Sequence, residues 1–180
     1  MKEALQPLSP HQTPEQTSGY IFLHASPAAL TRHLEWALDS VLGQGANLTW
    51  KPQPHLPGHL CTTLIWEGAP GTAARLASAL RPVGSTYFEI TERATQGSDA
   101  LRIMHTPILG ICTVPVDRQG NFTVTEDRIK YAFEQAAGDY SELYCQFSLA
   151  LGEPWDEQLE PYRQAFASQP NAIVRRASTA

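Results

Sequence analysis

GYIFLHASPAALTRHLEWALDSVLG, residues 19–43, is the stretch whose reading decides the fold. Residues 20–24 read as a buried strand. It runs straight into an amphipathic helix, with Leu30, Leu34, Ala37, Leu38 and Val41 on one face at helical spacing. The junction is sharp. Ser26 is a good N-cap, and Pro27 falls where the first helical residue should be. Gly43 supplies the stop.

Downstream, residues 47–53 read as a second strand. Pro52, His55, Pro57 and Gly58 make a loop, and residues 59–66, rich in Thr, Leu and Ile, make a third strand. These two strands are expected to pair antiparallel. A turn at residues 67–72, EGAPGT, opens a helix over residues 73–80 that stops at Arg81-Pro82, and residues 87–93 alternate as a fourth strand. The order βαββαβ is the split βαβ of ferredoxin-like folds, and the right-handed crossover rule places both helices on one sheet face.

The chain then adds to this unit. Residues 101–106 and 109–114 read as strands, 117–120 as a turn and 121–124 as a short strand. Thr125 caps a helix with Glu126 and Asp127 in its first turn and a core face of Ile129, Ala132, Phe133 and Ala136. Gly138 breaks it. Asp139 with Glu142 resembles a capping box, and the following helix should bury Leu143, Tyr144, Phe147 and Leu151. A last helical piece over residues 155–166 is interrupted by Pro161. The expected fold is therefore α+β: a ferredoxin-like βαββαβ core with additional antiparallel strands and C-terminal helices. Residues 1–18 and 167–180 are expected to be disordered tails around one domain, 19–166.

The chain's 180 residues suit one domain with a proper core. Net charge is −5 and no polybasic run occurs, which argues against nucleic acid and anionic membranes. Between residues 126 and 160, nine acids stand against Arg128 and Lys130, a pattern that first reads as solvated helix faces. No apolar run is long enough to span a bilayer, and the polar, proline-punctuated start is not expected to be a leader. Cys61, Cys112 and Cys145 form no pair motif and read as reduced, buried thiols of a cytoplasmic protein.

Strand alternation sorts side chains by face. Assigning the purely aliphatic set to the helices leaves Tyr20, Phe22, His24, Trp66, Tyr87 and Glu89, with Trp50 as a further candidate, on the other face. That face has three readings: a small-molecule pocket with His24 and Glu89 as polar anchors or an acid/base pair, a platform stacking single-stranded RNA, or a second core covered by the C-terminal helices. On the first helix, Trp36 lies well off the apolar stripe, with His33 at its margin and Arg32 placed to stack on it. Together they form a candidate partner surface. Gly71, Thr72 and Arg75 at the start of the second helix form a candidate anion site, although no phosphate-loop signature is present. His55-x-x-x-His59-x-Cys61 lacks a second ligand pair, so no metal or cofactor is assigned. No nucleophile–base arrangement can be assembled, so no catalytic residue is assigned. His105, Glu92 and Arg102 are candidates for cross-strand pairs.

HASPAALTRHLEWAL, WEGAPGTAARLASAL and LGEPWDEQLEPYR together resemble the actinobacterial domain-of-unknown-function family 3145, over most of residues 19–163. No functional residue transfers from that resemblance. It implies an accessory role linked to fatty-acid metabolism. Acyl carriers dock on basic patches, which this chain lacks, so its acidic C-terminal half would better suit a basic enzyme partner. The expected function is that of a non-catalytic binding or regulatory protein with a protein partner. A small-molecule sensor or enzyme is second, and single-stranded RNA binding third.

Overall fold

The computed structural model describes residues 15–43, 46, 48–168 and 175–178. Strands β1 (Thr17–Pro27), β2 (Lys51–Pro52), β3 (His59–Gly68), β4 (Tyr87–Glu92), β5 (Ala100–Thr106) and β6 (Gly110–Val116) form one sheet in the order β2-β3-β1-β4-β5-β6. Every neighbouring pair on that path is antiparallel. A further strand, β7 (Arg175–Ser178), pairs parallel with β3, so part of the segment expected to be a disordered tail joins the sheet. At the other end, Thr17 and Ser18 already belong to β1, while the rest of the expected N-terminal tail up to residue 14 lies outside the described residues, as do 169–174.

Helices α1 (Thr31–Leu42) and α2 (Thr72–Leu80) cover one face of the sheet. Leu34, Leu38 and Leu42 from α1 and Ala73, Leu76, Ala77 and Leu80 from α2 meet Ile21, Leu23, Leu64, Trp66, Phe88, Ile90 and Ile103 in one core. The expected junction at Ser26 is displaced. β1 continues through Pro27, a 3-10 turn spans Ala28–Leu30, and Ser26 is buried with no capping bond. An irregularity in β1 pairing between Leu23 and Ser26 keeps the strand in the sheet past the point where its alternation ends.

Trp66 corrects the facing of β3. Its ring is fully buried on the helix side with Leu64, and Trp50 packs there too, its indole N–H donating to Glu35 at 2.9 Å. Alternation outweighs side-chain type here: Trp66 pairs with Gly19 and Leu64 with Ile21. A Cβ at residue 19 would stand 2.8 Å from the Trp66 ring and 1.7 Å from the Thr91 carbonyl oxygen, so only glycine admits this packing.

The other face is covered by α5 (Glu153–Ala167), whose Leu159, Tyr162 and Phe166 are buried. α5 runs through Pro161 without a break. At 100° per residue Pro161 points away from Leu159, so the Glu157 carbonyl that loses its partner faces water. α3 (Glu126–Ala136) and α4 (Tyr140–Leu151) form a hairpin beside α5. Thr125 is the N-cap of α3 by position but makes no capping bond, and Asp139 caps α4 by accepting from the amides of Ser141 and Glu142. The expected buried faces of this hairpin are only partly covered: Ile129, Phe133 and Tyr144 are exposed, and Leu143, Phe147 and Leu151 are half-buried. Only Ala132 and Ala136 are buried in α3, and no residue of α4 is. The expected strand at 121–124 reduces to a single bridge, Val116 with Phe122.

Candidate functional site

β1, β4 and β5 send His24, Glu89 and Arg102 to the face beneath α5. Antiparallel pairing sets Phe22 opposite Glu89 and Thr91 opposite Arg102, and the irregularity in β1 leaves His24 fully buried beside them. His24 Nε2 lies 3.3 Å from Glu89 Oε2. Arg102 Nε donates to Glu89 Oε1 at 2.6 Å, and its two terminal nitrogens grip both oxygens of Asp156 at 3.0 and 2.6 Å. Arg163 Nε donates to Glu89 Oε2 at 3.2 Å, and Arg163 Nη2 lies 2.7 Å from Asp156 Oδ1. Two carboxylates and two guanidiniums thus tie α5 to the sheet with no net charge.

Burial works against the Glu89 charge, but the His24 hydrogen bond and the Arg102 and Arg163 charges outweigh it and hold the carboxyl down at about 2. Burial pushes the His24 imidazole down against the pull of Glu89, so the ring is neutral. An ionised carboxylate only accepts, hence Nε2 carries the proton; Nδ1 is buried with no hydrogen-bond partner. Around this centre lie rings. Phe22 packs on His24 at 3.9 Å and meets Phe166 at 4.5 Å, and Tyr162 lies against Tyr87 at 4.7 Å and His55 at 5.0 Å. Tyr20, at the margin, is 43% exposed. Of the expected face, Tyr20, Phe22, His24, Tyr87 and Glu89 are gathered on the α5 side, and Trp66 is not. α5 fills the space over His24 and Glu89 that a stacked base or a small ligand would occupy.

The candidate anion site already holds an anion from the chain itself. Glu92 accepts from the Gly71 amide at 2.7 Å and the Ala73 amide at 2.8 Å, while Arg75 donates to the Thr72 hydroxyl at 2.7 Å. The free amides at the start of α2 are thus taken up by a carboxylate from the end of β4. Glu92 therefore makes no cross-strand side-chain pair. His105 stacks on Phe88 and bonds the Thr86 carbonyl oxygen at 2.7 Å.

On α1, Trp36 is 63% exposed. His33 meets its ring edge-on at 5.5 Å. Arg32 does not stack on Trp36; it pairs with Glu35 at 3.1 Å, whose carboxylate also holds the Trp50 indole. Cys61 and Cys112 are buried, with burial pushing the Cys61 thiol up to about 11, whereas Cys145 is exposed, contrary to expectation. Among the described residues no group of three or more His, Cys, Asp or Glu side chains is placed to hold a metal, and no helix is long and apolar enough to cross a membrane.

The profile of one protein family, described as a protein of unknown function (DUF3145), matches residues 20–176. The chain belongs to the DUF3145 family. No curated protein and no solved structure matches it.

Two members of the polar network in this DUF3145 chain escape sequence reasoning. Asp156 sits in the acidic segment that reads as solvated faces, and Arg163 lies just beyond its end. Their signal is positional: they are seven apart, beside the stripe Trp155, Leu159, Tyr162, Phe166. That stripe shows only if the helix is allowed to continue through Pro161.

Proposed function

We propose that this protein is a non-catalytic binding or regulatory protein whose α1 surface docks a protein partner. One observation carries this reading: Trp36 presents most of its ring to solvent on a helix whose opposite face is core. An exposed Trp braced by His33 is the kind of rigid aromatic anchor around which interface energy concentrates. Arg32 and Glu35 at its side supply a polar rim with both signs of charge. The closure of the His24/Glu89 face by α5 favours this reading over a small-molecule sensor, an enzyme or an RNA-binding platform.

Three finer features belong to the same proposal. We read strands β1–β4, with their order β2-β3-β1-β4, as the split βαβ of a ferredoxin-like core. We place the protein in the cytoplasm, where its three thiols stay reduced. The fatty-acid link and the actinobacterial origin implied by the family resemblance point to an enzyme of that metabolism as the partner class, and the acidic C-terminal half would suit a basic one.

The test is retention from cytosol at near-physiological salt by wild type, Trp36→Ala and a distant surface control, Glu134→Ala. A stoichiometric partner held by wild type and the control and lost with Trp36→Ala is the expected result. Equal retention by all three would remove α1 as the docking surface. If nothing is retained by any of them, a thermal-shift metabolite screen with His24→Ala as the control decides for the small-molecule reading.

A further inference from the structure

The α3–α4 hairpin carries an apolar surface that no other described residue of the chain covers. Tyr140, Leu143, Tyr144, Phe147 and Leu151 share one face of α4, and Ile129 and Phe133 share one face of α3. Edge-on contact between Phe133 and Phe147 at 6.3 Å joins the two stripes. Yet Tyr140 is 79% exposed, Tyr144 64% and Phe133 59%. A pattern that normally marks a buried face is left facing water on both helices.

We propose that a second copy of this chain covers this face, two hairpins packing about a two-fold axis as a four-helix bundle. Area supports it. With about 200 Å² for each full side chain, the exposed parts of Tyr140, Tyr144, Phe133 and Ile129 offer roughly 500 Å² per protomer, against ~800 Å² in a standard interface. The half-buried Leu143, Phe147 and Leu151 add to this. Charge selects the partner. The stripe holds no ionisable acid or base other than tyrosine, and its nearest flank is the Glu126–Lys130 pair at 2.6 Å, which is neutral as a unit. Asp127, Glu134 and Glu142 lie about 100° or more round their helices from the nearest residue of the stripe, and the Asp139 carboxylate at the end of α4 is taken up by the Ser141 and Glu142 amides. A second copy therefore brings no like charge into the contact, while a partner chosen for its basic surface would find little to grip there. The hairpin is also well braced. Ala137 and Gly138 turn it in the left-handed region, and the Asp139 carboxylate caps α4. An isologous contact of this kind is the commonest route to a closed oligomer.

Sedimentation velocity of the full chain, with Tyr144→Glu and Phe133→Glu as separate variants, tests the proposal. Wild type should sediment as a dimer at about 10 µM, and each variant should weaken the dimer roughly 30-fold or more, since a charge would be buried at the contact. At a concentration where all are monomeric, circular dichroism should be unchanged, and urea unfolding should be unchanged for Tyr144→Glu and shifted only by the loss of the Phe147 edge contact, about fivefold in the unfolding constant, for Phe133→Glu. Trp36→Glu, on the opposite side of the sheet, should leave the dimer intact. A chain that stays monomeric at about 100 µM overturns the proposal. So does a dimer that survives both variants or that Trp36→Glu dissociates.

Discussion

Replacing Glu89 by glutamine isolates the charge at the centre of the α5 clamp. The amide keeps the shape of the carboxyl and one acceptor oxygen, so the variant behaves as a permanently protonated Glu89. In the folded chain this group titrates at about 2, against 4.5 without its surroundings. At about 1.4 kcal/mol per unit, the folded state prefers the charged form by on the order of 3 kcal/mol. Arg102 and Arg163 both keep Asp156, which holds the cost at the low end of the ~3–5 kcal/mol typical when one partner of a buried ion pair is removed. The folded value lies below the unfolded one. The stabilisation is therefore complete above pH 4.5 and is lost as pH falls towards 2. Urea unfolding followed by tryptophan fluorescence should show Glu89→Gln less stable than wild type by on the order of 3 kcal/mol at pH 7, narrowing to roughly 1 kcal/mol at pH 3. A gap below about 1 kcal/mol at pH 7, or one of equal size at both pH values, would refute the reasoning.

Three further outcomes follow from the packing. Gly19→Ala drives a Cβ into the Thr91 carbonyl and the Trp66 ring, and should lower the unfolding free energy by at least about 2 kcal/mol in the same urea assay. Glu92→Ala strips the carboxylate from two amides at the start of α2 and should cost about 1–2 kcal/mol, with Glu92→Gln recovering part of it; equal stability of all three proteins would mean that water caps the helix as well. Under native conditions a thiol reagent should modify Cys145 rapidly and Cys61 and Cys112 only as the chain opens, so a titration should resolve one fast and two slow equivalents.

Local pattern carried the elements with short-range causes. Tyr20–His24 lies inside β1, the stripe of α1 ends at Gly43, the pairing of β2 with β3 is antiparallel, and Asp139 caps α4, because each depends on side chains within one or two turns of chain. Alternation on β1 and β4 by itself also assigns Phe22, His24, Tyr87 and Glu89 to one face, since a strand has only two faces. What needed the tertiary structure was every choice between equivalent partners. Trp66 follows Leu64 to the helix side by alternation, and only the neighbouring strand shows that Gly19 leaves room for its ring there. Glu92 left its strand neighbours for the amides of α2, a stronger site for a carboxylate than a cross-strand pair. Asp156 and Arg163 became part of a half-buried network only because α5 continues through Pro161 and lies on the sheet. The apolar stripes of α3 and α4 were legible as burial signals, but periodicity states that a face wants cover, not which surface supplies it. Among the described residues of one chain nothing does, and that is a property of how the elements meet in space.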